Sequence, residues 1–165
     1  RGLGDVYKRQ GKHIPYAAFE FRNQVLSTLS QTFPSIGFSD RTFHVRNTQD
    51  RLKEWIGHKL HWISPVLNDV PIRVFDALIT GGIPVVPESM RYLHPLSQIS
   101  DRDILVYTAH DIINPVPLIE RGVALFDEGG ANAIVERHRY ALANHHGDRA
   151  MERIRQVALQ KFCKG

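Results

Sequence analysis

A chain of 165 residues with 42% hydrophobic and 23% charged side chains is sized for one domain with a sizeable core, and nothing in it is low-complexity or repetitive enough for a disordered chain, a coiled coil or a solenoid. A single cysteine, Cys163, excludes an intrachain disulfide and a cysteine-rich zinc site, and no apolar run approaches the roughly 18 to 20 residues that span a bilayer. The net charge of +4 divides into +2 for residues 1–10, −2 for residues 11–135 and +4 for residues 136–165, so the basic groups crowd onto the ends, which argues against a nucleic-acid groove.

The opening RGLGDVYKRQ resembles the translated remnant of a sequencing adapter and is set aside from fold reasoning. On that reading the natural chain is expected to begin near Gly11 and to lack an unknown length of N-terminal sequence. Tyr16 to Phe33 places Phe19, Leu26, Leu29 and Phe33 at helical spacing with Val25 alongside, and Pro34 ends the predicted helix. SIGFSD reads as a short strand and turn, and RTFHVRN as an irregular or extended piece. Thr48 to Ile56 makes a short helix with Thr48 at the N-cap and Gly57 closing it, and KLHWIS, roughly 59 to 64, is an apolar strand.

Val70 to Thr80 is the best specified helix. Asn68 and Asp69 stand where side chains accept hydrogen bonds from first-turn amides, and Pro71 sits where a missing N–H costs nothing. The spacing predicts Ile72, Phe75, Leu78 and Ile79 as its buried face, with Arg73, Asp76 and Thr80 on the opposite side. Gly81-Gly82 stops it. IPVV then has the continuous hydrophobicity of a strand covered on both faces, and DILVYT, 103 to 108, repeats that pattern. From about Asn114 the chain turns helical in three runs, PVPLIERGVALFDEG, ANAIVERHRYALANHH and DRAMERIRQVALQKF, the last with Asp148 as its expected N-cap.

Strands alternating with helices predict an α/β fold: a Rossmann-like parallel sheet flanked by helices over residues 11–135, with C-terminal helices over 136–165. In such sheets ligands gather at the carboxyl ends of the strands, where a following helix presents unpaired amides suited to phosphate. Arg73 then offers a guanidinium to a phosphate oxygen, and Asp76 an acceptor for ribose hydroxyls. The alternative from spacing alone is a solvated face: an exposed Arg73–Asp76 pair of little energetic value and two plain capping residues.

The run RVFDALITGGIPVVPES resembles the C-terminal, donor-binding half of glycosyltransferases of the two-Rossmann (GT-B) type, family 1-like, whose corresponding segment reads approximately R-x-F-E-A-x-A-x-G-x-P-V-V. The helix containing FRNQVLSTL, the strand KLHWISPVLN, the strand DILVYT and the helical tail follow in the order that half uses, so the resemblance covers most of residues 14–162, with only the central run specific. It implies binding of a nucleotide-diphosphate sugar for transfer to a glycan, lipid-linked or protein acceptor. It also implies an acceptor-binding N-terminal domain of the same chain that would supply any catalytic base; no metal or other cofactor is expected, since fixed backbone dipoles can take the place of a divalent ion at the diphosphate. By the same resemblance Asp76 contacts the nucleotide ribose, and the backbone at Asp69 and Val70 contacts the diphosphate with Arg73 beside it. The family's second glutamate, eight residues before the first, corresponds to Asn68. Asn68 and Asp76 both depart from the family's glutamates; a neutral amide still hydrogen-bonds a sugar hydroxyl but does not reproduce a carboxylate. The runner-up is an α/β module that binds a nucleotide or phospho-ligand without transfer chemistry.

Other residues weigh less. His58 with His61, and His145 with His146, come without a clear carboxylate partner, and a zinc site needs three or four converging ligands, so no tightly bound metal is expected. His94, His110 and Glu88 follow predicted strands on the ligand side, and either histidine is a candidate proton carrier. Ser64 lacks the Gly-x-Ser-x-Gly setting of an activated nucleophile. The final helix, with Arg149, Arg153, Arg155, Lys161 and Lys164 beside Met151, Ile154, Val157, Ala158 and Phe162, fits a helix docked on its own domain or one meeting an anionic membrane, and the resemblance implies a third role, reaching back across the interdomain cleft. The expected location is the cytoplasm, free or peripheral at the inner face of the membrane.

Overall fold

The computed structural model describes residues 24, 25, 27–29, 47–65 and 69–162. The expected strand over SIGFSD and the extended piece over RTFHVRN lie outside them, as do Asn68 and Cys163. Of the first predicted helix, residues 24, 25 and 27–29 are helical, and Val25 and Leu29 are buried, as their spacing requires.

The elements run α1 (Thr48–Ile56), β1 (Leu60–Trp62), α2 (Arg73–Ile79), β2 (Ile83–Pro87), two 3-10 turns (Glu88–Met90 and Leu96–Gln98), β3 (Leu105–Tyr107), α3 (Ala109–Ile113), α4 (Val116–His145) and α5 (Gly147–Phe162). The three strands form one parallel sheet in the order β1-β2-β3, with Trp62 opposite Val85 and Val85 opposite Leu105. The α/β class with a helix-flanked parallel sheet is as the alternation of apolar runs predicts.

Two prolines lie in the central strand, where a missing donor should break the ladder. Ile83 N–H donates to Lys59 and Ile63 N–H to the Val85 carbonyl, so odd-numbered β2 residues face β1 and even-numbered ones face β3. Pro84 thus turns its missing N–H toward β3 one residue before that pairing starts at Val85, and Pro87 turns its own toward β1 beyond the last pair, Trp62 with Val85. Neither proline removes a ladder bond.

Side-chain alternation builds a core on each face of the sheet. Leu60, Trp62, Ile83, Val85, Leu105 and Tyr107 point to one side, where Val25, Leu29 and the first half of α4, through Leu118, Leu125 and Phe126, cover them. Ile63, Val86 and Ile104 point to the other, against Val74 and Leu78 of α2, Met90, Leu96 and Ile99 of the connecting segment, and Ala141. Because α4 serves both faces it must turn, and it does so at Gly130, whose φ of 57° and ψ of −160° lie outside the helical region. The break falls between the first two predicted helical runs; α4 otherwise passes without interruption through residues 135 and 136.

Arg137, in the second half of α4, is 1% exposed and ties that half to the amino edge of the sheet. Its Nε donates to the Gly81 carbonyl at 2.8 Å, its Nη1 to Asp103 Oδ1 at 3.3 Å, and its guanidinium carbon stands 5.2 Å from the Phe126 ring centre. Gly81 has φ 80° and faces Ile134, and Gly122 sits where an added Cβ would come within 2.8 Å of Leu60 Cδ1. Both glycines are needed for α4 to pack this closely.

Candidate functional site

Because all three strands run parallel, the segments leaving Trp62, Pro87 and Tyr107 emerge at one edge. Among the described residues this carboxyl edge comprises Ile63 to Pro65, Asp69 and Val70 after β1, Glu88 and Ser89 after β2, and Thr108 to Asp111 after β3. Its floor is aromatic: the Trp62 and Tyr107 rings stack with centroids 4.5 Å apart, and the Tyr107 hydroxyl donates to the Ile63 carbonyl at 3.4 Å. Burial pushes the Tyr107 phenol up to about 12, against an opposing hydrogen bond with Ser64, so it stays a neutral donor at every physiological pH. Ser64 is itself buried.

After β3, the side chain of Asp111 accepts from the Thr108 amide and hydroxyl, both at 2.7 Å. This reciprocal capping box starts α3 at the edge. Burial works against the Asp111 carboxylate, but the Thr108 amide and hydroxyl outweigh it and hold the group below the usual range. The signal T-x-x-D is present at 108 to 111, and reading it would have predicted this helix start. His110 and Glu88 are exposed at the edge. His94 is exposed as well, near enough to His145 to disfavour a charge there.

The helix carrying the central motif differs from expectation in start and in face. It begins at Arg73, three residues later than predicted, with Ile72 as N-cap and no side-chain cap. The turn is made instead by backbone: the Pro71 carbonyl accepts from Val74, and the Ile72 carbonyl from Phe75 and Asp76. Asp69 therefore does not cap it; Asp69 is an exposed bend residue, and Val70 is half-buried against the second core cluster. The buried face is Arg73, Val74, Ala77 and Leu78, whereas Ile72 is 66% exposed. The cause is tertiary: α2 is held between the sheet and the second half of α4, and the side presented to both is one position away from the one the hydropathy pattern favours. Phe75, on the flank, stacks on His145 at 4.1 Å. Asp76 is half-buried, and Thr80 Oγ1 donates to the Asp76 and Ala77 carbonyls at 2.9 Å.

Of the residues assigned to donor binding, Asp69 and Val70 thus belong to the edge segment after β1, while Arg73 is enclosed at the head of α2 and Asp76 follows one turn on. Of the two histidine pairs, His58, His61 and His145 take packing roles, whereas His146 is exposed with its Nδ1 3.4 Å from Asp148 Oδ2. His61 stacks on Trp55 at 4.6 Å, nearly parallel, with its ring against Gly82, and burial together with His58 lowers its pKa to about 3. His58 Nδ1 meets the Glu54 carbonyl at 2.5 Å. Burial, then Arg153 and His94, lowers the His145 pKa. Among the described residues, no three His, Cys, Asp or Glu side chains come together as a metal-binding group. Nor, among them, is any helix long and apolar enough to cross a membrane. No family model, curated protein or solved structure matches the chain at significance.

Proposed function

We propose that this chain is the donor-binding half of a glycosyltransferase, seating a nucleotide-diphosphate sugar at the carboxyl edge of the parallel sheet. The observation that carries the reading is the run RVFDALITGGIPVVPES, folded as a helix, a Gly-Gly turn and the central strand, next in the chain after β1 and the segment that leaves its carboxyl end. The diphosphate would lie along the edge segment at Asp69 and Val70, where backbone amides precede α2. Arg73, a cation enclosed in the first turn of α2, adds to the positive end of that helix, and both favour an anion close by. Asp76 would accept from the ribose hydroxyls. During transfer this fixed positive field would stabilise charge growing on the departing diphosphate without a divalent ion, while the acceptor would be presented by a second half.

Calorimetric titration with uridine, guanosine and adenosine diphosphates tests the reading. At least one should bind. Asp76→Asn should weaken it by about tenfold or more, the worth of one hydrogen bond to a charged acceptor, and Asp76→Glu should retain it. Failure of all three nucleotides to bind, or equal affinity in the parent and the Asn variant, would reject the site.

A further inference from the structure

The last helix stands apart from the core. Every described residue of α5 except Glu152 is exposed, and none is buried. Met151, Ile154, Ala158 and Phe162 follow the i, i+3, i+7, i+11 rhythm of one continuous stripe, with Val157 beside them, and Met151, Ile154 and Phe162 are 65%, 61% and 83% exposed. A stripe of this size left in water calls for a partner.

We propose that α5 is a surface anchor that lies flat on an anionic lipid bilayer. Charge and length decide between occupants. Helical geometry sets Arg155, paired with Glu152, on one rim of the stripe and Arg153, which donates to the Asn144 carbonyl, on the other, with Lys161 within it near the end, where a long stem lets the ammonium reach headgroups while its methylenes stay with the apolar face. Asp148 and Glu152 are the acids of the helix, and Glu152 is engaged by Arg155 at 2.8 Å and by Gln156 at 3.0 Å. A second copy docking through the same stripe would have only sixteen residues to pair, barely two heptads, short of the three or four that sustain a coiled coil. An anionic surface instead meets the cations and takes the apolar side chains into the acyl boundary. The helix would lie in the interface, since neither its length nor its hydropathy lets it span.

Co-sedimentation of the 165-residue protein with phosphatidylcholine vesicles, with and without one quarter phosphatidylglycerol, tests this. Binding should require the anionic lipid and should fall when salt is raised from 50 mM to 500 mM. Arg155→Gln with Lys161→Gln should lower partitioning by about 25-fold, roughly fivefold per cation. Ile154→Gln with Phe162→Gln should abolish it, with unchanged circular dichroism because no core contact is touched. Absence of binding to anionic vesicles, equal binding to neutral ones, or unaltered binding by either double variant would overturn the proposal. So would a dimer in sedimentation equilibrium that dissociates in the Ile154/Phe162 variant.

Discussion

Replacing Arg137 with methionine isolates the latch between α4 and the amino edge of the sheet. Methionine keeps most of the volume and still packs on Phe126, so little cavity forms. The Gly81 carbonyl loses its 2.8 Å donor and is left without it in a buried place, a penalty of about 1–3 kcal/mol. The ion pair with Asp103 contributes little to the loss, about 0–1 kcal/mol, because the Asp103 side chain is 30% exposed and water replaces the partner. Losing the cation over Phe126 adds about 0.5–1 kcal/mol, while removing the need to desolvate a guanidinium works the other way. The net expectation is a destabilisation of about 2 kcal/mol, or roughly 4–8 °C in Tm for a chain of this size. Arg137→Ala, which also leaves a void, should cost about 3–5 kcal/mol. Urea unfolding followed by circular dichroism reads both. A methionine variant with the parent's midpoint and slope would show that the latch contributes nothing and that hydrophobic packing alone holds α4 in place.

Three smaller perturbations probe other joints. Gly122→Ala forces a methyl into Leu60 and Leu105 and should destabilise by about 1–3 kcal/mol in the same assay, whereas Gly147→Ala, with nothing within 4 Å of its added Cβ, should be tolerated. Asn47→Ala removes the 2.8 Å bond from the Asp50 amide and should cost about 1 kcal/mol, while Thr48→Ala should be nearly silent; equal effects would mean that the cap is misassigned. His61 is neutral when folded, with a pKa near 3, but takes up a proton near 6.5 when unfolded. The unfolded state therefore binds more protons between these limits, and stability falls as pH drops from about 6.5 toward 3, by up to about 1.4 kcal/mol per unit from this group. His61→Phe, which keeps a ring against Trp55, should remove that portion of the slope, and an unchanged slope would refute the assignment.

What the sequence reveals here is what depends on neighbours close along the chain. The central strand is legible because Ile83 to Val86 is apolar without interruption, and both faces are indeed covered. The bend of α4 is legible because a glycine pair interrupts two helical runs. The cap of α1 is misplaced by one residue, since Asn47 and Thr48 are both good capping types and only geometry chooses Asn47. The face of α2 is illegible for a stronger reason: a seven-residue helix has too few turns for its own periodicity to outweigh the packing of α4. Arg137 is illegible too, because its partners lie 56 and 34 residues away. For the candidate site, strand order alone brings the segments after β1, β2 and β3 to one edge, but the enclosure of Arg73 could not be read from an i, i+3 spacing.

The central claim is that a nucleoside diphosphate sits at that edge. Its most direct test is a titration of the 15N-labelled protein with the best-binding nucleotide, following the amide signals by two-dimensional NMR. The account predicts saturable shifts concentrated at Ser64, Asp69, Val70, Arg73 and Asp76, with Gly81, Asp103 and Arg137 at the opposite edge unmoved. Shifts centred on the Gly81–Arg137 edge, or no saturable shift up to millimolar nucleotide, would contradict it.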